Sequence, residues 1–276
     1  PSTEELKDRA QLNRKMLIDI TYRTGGAYLA QALSGIDMMT AVFYRYLKFN
    51  PFQPDWDGRD RFLLSPGHYA LPLYVILAEL GYFDLSVLYT FKENGSPAEL
   101  ISHRHTLPGV EISGGSLGQV LSIGVGMALH AKLRAKAHRI FVMMSDGEQN
   151  EGQIWEAAVS ASHFGLNNLI ALIDKNGFQV DGPTMRVMNM EPLADKYRAF
   201  GWDVAEVDGN EMDEIVKVLD EFVSKGTKPC LLIGNTIRGK GISFLENNID
   251  FHYTRLDKPL NDKANWELTG DWDAGM

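Results

Sequence analysis

The chain is nearly without cysteine. Cys230 is its one thiol, so no disulfide can form within it, and no cluster of Cys and His is present to hold zinc. Cys230 sits in the apolar run 229–233 and reads as a buried strand thiol of a reducing compartment. Also missing is any uninterrupted apolar span long enough to cross a bilayer. The charged start PSTEELKDRA does not resemble a secretory leader, so a cytoplasmic protein without a membrane partner is expected. Basic runs are absent too, and with a formal net charge of −9 the chain offers no patch for nucleic acid or for an anionic lipid surface. No internal repeat or low-complexity stretch occurs.

What the chain does have is apolar content, 45% across 276 residues, which suffices to bury a large core. One α/β domain over 1–276 is expected, with a polar surface extension from about residue 256 that packs on the surface or on a partner. The organising stretch is 141–182. Residues 141–144 are a short apolar run that meets the polar turn Ser145-Asp146-Gly147, which reads as a buried strand ending at a turn. From 153 to 164, Ile154, Trp155, Ala158 and Phe164 recur at roughly helical spacing until Gly165. A second strand, 169–173, ends in Asp174-Lys175-Asn176-Gly177. Strand, crossover helix and parallel strand imply an α/β fold with a mostly parallel central sheet and helices on both faces. Such a unit puts the ends of both strands on one sheet edge, where Asp146 and Asn176 can converge. A carboxylate and a carboxamide there offer hard oxygen donors suited to magnesium. Taken alone, Asp146 could instead cap a helix and Asn176 serve a turn.

Elsewhere, 4–24 reads as an amphipathic helix with Leu6, Leu12, Met16, Leu17 and Ile20 on one side, stopping at Gly25-Gly26. Helices are expected at 36–47, 70–80, 119–133, 190–200 and 211–224, and strands at 62–64, 202–207 and 229–235. His68 follows the strand 62–64 at a strand-to-helix turn, on the same expected edge as Asp146. As residues, His68 is equally a satisfied loop histidine, Leu117 a core leucine and Lys240 a solvated or interface charge.

The runs SDGEQNEGQIWEA at 145–157 and IDKNGFQVDG at 173–182 resemble the thiamine-diphosphate motif of transketolases. Three further segments match in the right order: LSPGHYALPLY at 64–74, PGVEISGGSLGQ at 108–119 and NTIRGKGISFLENN at 235–248. The resemblance implies the thiamine-diphosphate-binding fold, with Asp146, Asn176 and Phe178 holding Mg2+, for which Ca2+ or Mn2+ can substitute. It implies cofactor contacts from Gly115, Leu117, Asp146, Gly147, Glu148, Asn176, Lys240 and His252. Leu117 would support the bent cofactor, and Lys240 would help neutralise the diphosphate. Catalytic roles fall to His68, His252 and His103, with His105 the rival of His103 because the spacing to Pro108 is shortened. Glu151 and Glu156 fall where the family has acids near its dimer contact, though as residues they are solvated carboxylates of a first helical turn.

Two positions depart from the family. In TGGAYLAQALSG, at 24–35, Gly26 stands where a histidine is usual, and Tyr253 replaces the glycine that normally follows the position of His252. Both alter the substrate side of the pocket. The resemblance further implies a Mg2+- and thiamine-dependent two-carbon ketol transfer from a ketose to an aldose. Its pyrimidine-binding module would be a separate C-terminal subunit in an α2β2 heterotetramer, and its substrates sugars or sugar phosphates. The alternatives are the cofactor subunit of a 2-oxo acid decarboxylase or dehydrogenase, a deoxyxylulose-phosphate-synthase-like enzyme, or a degenerate cofactor-binding scaffold.

Overall fold

In the computed structural model, which describes residues 1–270, the chain opens with α1 (Thr3–Arg23) and α2 (Leu29–Ala41), the latter running into a π turn at Val42–Tyr46. β1 (Arg61–Leu64) and α3 (Ala70–Glu79) follow, then a long segment with a 3-10 turn at Leu85–Thr90 that leads to α4 (Gln119–Leu133). The central unit is β2 (Ile140–Ser145), α5 (Gly152–His163) and β3 (Leu169–Lys175). Next come a small antiparallel hairpin, β4 (Phe178–Gln179) and β5 (Gly182–Pro183), and the short helices α6 (Thr184–Val187) and α7 (Leu193–Ala199). β6 (Asp203–Asp208), α8 (Met212–Lys225), β7 (Cys230–Asn235) and α9 (Lys258–Thr269) complete the described chain.

Five strands form one parallel sheet in the order β1-β2-β3-β7-β6. Strand side chains alternate between faces, and the alternation separates two cores. Phe141, Met143, Ile170, Leu172, Cys230 and Leu232 face the core shared with α1, α2, α3 and α8. Ile140, Val142, Met144, Leu169, Ala171, Ile173, Leu231 and Ile233 face the core shared with α4, α5 and α7. The strands of the middle are thus apolar on both faces, as a covered parallel sheet requires, and each fully buried branched side chain contributes about 1.5–3 kcal/mol. Because all five strands run the same way, the segments after β1, β2, β3 and β7 emerge at a common edge.

Several elements differ from the sequence expectation for identifiable reasons. Ser2 and Glu5 form a capping box on α1, but Leu12 is 39% exposed. The helix packs on α2, α3, α8 and α9 rather than on one neighbour. Its buried strip therefore also takes Asn13 and Arg14, the latter bidentate to Asp37 of α2. α2 begins seven residues before the expected 36, and every residue of it is buried, so it has no polar face to mark its start. α7 begins only at Leu193, because the residue before Pro192 is disfavoured in a helix. β3 runs through Asp174 and Lys175, which the sequence places in the turn. The expected surface extension folds as α9, capped by Asp257, which accepts from Leu260 N at 2.9 Å, and it packs on α1 with Ala264 fully buried. The last part of that expected extension, 271–276, lies outside the described residues. No helix among the described residues is long and apolar enough to cross a membrane.

Candidate cofactor site

The carboxyl edge of the sheet carries a cleft of about 280 Å³, lined in part by His68, Leu117, Gly147, Glu148, Asn176, Phe178 and His252. His68 stands on the single turn Gly67–Tyr69 after β1, and its pKa is pushed down to about 4 by burial, then by His252 and Arg238. His252 is lowered for the same reasons, burial first and Arg238 second. Two neutral imidazoles therefore face one space, their ring centres 6.4 Å apart, with Tyr28 edge-on to both. An NMR titration is expected to show the His68 ring neutral at about pH 6, against a midpoint near 6.5 for a free imidazole, and titrating at about 4. Between roughly 6.5 and 4 the unfolded chain then binds more protons than the folded one. His68 should contribute stability above that window which is lost as the pH falls through it, and His68→Gln should remove this component.

Asp146 lies between the lining residues Ser145 and Gly147 and is 7% exposed. Its oxygens accept from Gly147 N at 2.8 Å and Gly177 N at 2.7 Å. Burial, and then the Asp174 carboxyl, push its pKa up to about 7 against the pull of those amides. Asn176 donates from Nδ2 to Asp174 Oδ2 at 3.1 Å and to the Tyr69 hydroxyl at 3.3 Å, while its Oδ1 accepts from Phe178 N at 3.1 Å. These bonds settle which end of the amide is oxygen. Asp174, fully buried beneath, also takes hydroxyls from Ser34, Tyr69 and Thr236.

Glu148 lines the cleft, but its carboxylate is engaged by Ser65 Oγ, Gly118 N at 2.6 Å and Ser145 N at 3.3 Å. It ties the glycine-rich turn before α4 to the ends of β1 and β2. In that turn Gly115 has φ +98°, and its amide donates to Ser65 O at 3.0 Å. A Cβ at Gly115 would come within 2.8 Å of Ile101, so Gly115 allows the turn to close against the side chain of Ile101. Gly115 does not line the cleft, whereas Leu117, two residues on, does.

His103 and His105 are not brought to this cleft. Both are exposed on the 91–118 segment, His103 lying 3.4 Å from Glu99 and His105 beside a separate depression with Arg59 and Glu111. Lys240 also lies outside the lining, and the cation facing the cleft is Arg238, two residues earlier. Arg238 is 1% exposed, donates to Asn248 O at 2.6 Å, and keeps Nη2 without a partner. Of Glu151 and Glu156, the first is at the mouth of the cleft and both are exposed. Sequence reasoning passed over Arg238, Tyr69 and Asp174. The signal for the first two was adjacency to Lys240 and His68, whereas nothing local marks Asp174.

Whether these residues suit a metal-bound diphosphate can be tested on their unsatisfied atoms. Among the described residues no group of three or more His, Cys, Asp or Glu side chains could hold a metal ion by itself. A divalent ion here would rely on the Asp146 carboxylate, the Asn176 carboxamide oxygen, a main-chain oxygen such as that of Phe178, and phosphate oxygens of a ligand. Three lining residues carry buried polar atoms without partners: Gln31 Oε1, Gln179 Oε1 and Arg238 Nη2. Buried polar groups are normally paired, so donors and acceptors are left for a polar ligand, and the residues fit it.

A parallel sheet with paired neutral histidines, a buried carboxyl and a buried guanidinium at its carboxyl edge defines an α/β cofactor-binding domain. The family model described as "Transketolase, thiamine diphosphate binding domain" matches residues 6–268, and the chain belongs to the transketolase family as that domain. It is 38% identical to an apulose-4-phosphate transketolase subunit of Phocaeicola vulgatus, covering 91% of this chain and 89% of the relative. It is 37% identical to a 6-deoxy-6-sulfo-D-fructose transketolase subunit of a Clostridium species, covering 96% of each. The crystal structure of transketolase from Campylobacter jejuni superposes with a TM-score of 0.92 at 29% identity, over 99% of this chain and 44% of that one. Human transketolase matches at 30% identity, and there the chain spans 42% of the relative's length.

Proposed function

We propose that this chain is the N-terminal subunit of a split transketolase, binding thiamine diphosphate and Mg2+. Paired with a separate C-terminal subunit, it moves a two-carbon ketol unit from a ketose to an aldose. The observation that carries the reading is that one sheet edge holds both Arg238, buried with an amino nitrogen unpaired, and Asp146, whose ionisation burial resists up to about 7. Each is costly alone. Arg238 would offer its guanidinium to a diphosphate, and Asp146 and Asn176 would hold a divalent ion, which would relieve both.

The neutral imidazoles of His68 and His252 can give or take a proton at a substrate hydroxyl or carbonyl oxygen, which favours sugar chemistry over decarboxylation. Leu117 and Phe178 line the cleft with apolar surface, which a ring of the cofactor would cover. When bound, thiamine diphosphate would supply the electron sink for carbon–carbon bond cleavage. Relatives named as transketolase subunits match nearly end to end, which supports a two-chain enzyme and, by symmetry, an α2β2 assembly. The lone buried thiol of Cys230 accords with a cytoplasmic location.

The chain mixed with its C-terminal partner, thiamine diphosphate and Mg2+ is expected to transfer the ketol unit. Either chain alone, or the mixture with EDTA, is expected to be inactive. A mixture in which both chains are folded and cofactor is bound, yet no ketose–aldose pair reacts, would overturn the reading.

A further inference from the structure

The loop that carries Arg238 to the cleft is held from behind by polar groups that do not themselves line the cleft. Asn210, on the turn after β6, accepts from Ile237 N at 2.9 Å with its Oδ1, while its Nδ2 donates to Ser34 O at 3.2 Å and to Asp37 Oδ2 at 3.0 Å. Two oxygens on one side and an N–H on the other fix which end of the amide is which. The Asp37 carboxylate is held in turn, bidentately, by Arg14 of α1, and both groups are buried. Polar contacts therefore run unbroken from Arg14 through Asp37 and Asn210 to the main-chain amide next to Arg238.

One helix face is the platform for this chain of contacts. Ala30, Ser34 and Asp37 lie at i, i+4 and i+7 of α2 and so share a face. Ala30 O accepts from Gly239 N at 2.8 Å, so the residues on both sides of Arg238 are pinned to that face, Gly239 directly and Ile237 through Asn210. Asn210 comes this close because the residue before it is glycine: a Cβ at Gly209 would lie 2.6 Å from Thr236 Cγ2 and 2.8 Å from Gly234 Cα. Arg238 O accepts from Asn247 N at 2.9 Å, and its guanidinium lies 5.8 Å from the centre of the Phe178 ring with Nη2 unpaired. A buried ion pair such as Arg14–Asp37 adds little net stability over apolar packing. What it does supply is a charged, directional anchor for Asn210.

We propose that Asn210, anchored by Asp37 and Arg14, is a positioning residue that aims the Arg238 guanidinium at a diphosphate group in the cleft. The proposal rests on the thiamine-diphosphate reading above. Truncating Asn210 leaves every lining residue in place but frees Ile237 N, so the turn can shift and carry Nη2 with it. Loss of the outer partner of a liganding group costs about 10–100-fold in affinity at metal sites, and the lower end of that range is expected here.

The test is calorimetry on the complex with the partner subunit, with Mg2+ and either thiamine diphosphate or inorganic pyrophosphate. Asn210→Ala is expected to weaken both ligands about tenfold, and Arg238→Met by more. Because Asn210 acts through Arg238, adding Asn210→Ala to Arg238→Met should cost less than about twofold further, whereas a residue that acts independently would give losses that multiply. If Asn210→Ala melts too low to assay, Asn210→Ser, which keeps a polar side chain on the turn, is measured in the same cycle. A wild-type complex that binds neither ligand overturns the cofactor reading and this assignment with it. Wild-type binding that either single variant leaves unchanged, or losses that multiply in the double variant, overturn this assignment alone.

Discussion

Replacing Asp146 with alanine is expected to abolish Mg2+-supported binding of thiamine diphosphate while leaving the chain folded. Among the described residues this carboxyl takes no hydrogen bond from a side chain. Its two hydrogen bonds come from the main-chain amides of Gly147 and Gly177, whereas the neighbouring Asp174 is consumed by Ser34, Tyr69, Asn176 and Thr236. Burial, and then the Asp174 carboxyl, raise the free energy of the Asp146 anion and push its pKa up to about 7, and a divalent cation would offset that penalty. Loss of residues that merely support a metal's ligands costs 10–100-fold in affinity, so loss of the carboxylate ligand should cost at least about a hundredfold. Asp146→Asn keeps the shape and loses the charge, and should fall nearly as far. Calorimetry with Mg2+ and with EDTA, on protein whose melting curve matches wild type, checks this. An Asp146→Ala variant that binds within about threefold of wild type would show that the cation is held elsewhere.

The sheet was legible in the sequence because its signals are local. The runs around 141–144 and 169–173 are apolar at every position, end in polar turns, and become β2 and β3 at the centre of the sheet. What the sequence concealed is what depends on distant partners. Asp174 looks like a turn residue, since a carboxylate inside a buried strand makes sense only with Ser34, Tyr69 and Thr236 supplied from far along the chain. The first seven residues of α2 were invisible because a helix covered on every side has no polar stripe to give a period. His103 could not be placed because the 91–118 segment has no periodicity to fix its direction. Lys240 was preferred over Arg238 because both are cations in one short glycine-containing loop, and only the fold decides which of them is 1% exposed and faces the cleft. Gly26 and Tyr253, 227 positions apart, could be recognised singly but not as a contacting pair.

The second large effect is expected from Asp174→Ala, and it should be felt in stability first. Asp174 is fully buried and accepts four hydrogen bonds, from the hydroxyls of Ser34, Tyr69 and Thr236 and the carboxamide of Asn176. These groups belong to α2, the turn after β1, the loop after β7 and the end of β3, so the carboxyl ties together elements from across the domain. Burial raises its pKa and the four donors oppose that rise, so the donors are what make a carboxyl tolerable there. Removing it leaves those donors facing a void, and a cost of about 3–5 kcal/mol is expected, of the size seen when one partner of a buried charged network is deleted. Denaturant unfolding monitored by circular dichroism measures it. Asp174→Asn, which retains an acceptor and the volume, should lose less. The folded fraction of Asp174→Ala should also bind thiamine diphosphate about 10–100-fold more weakly, because Asn176 then loses the contact that orients its oxygen. A variant that is as stable as wild type but binds cofactor poorly would mean that Asp174 acts on the site alone. Normal binding with lowered stability would instead mean that the Tyr69 and Phe178 contacts suffice to aim Asn176.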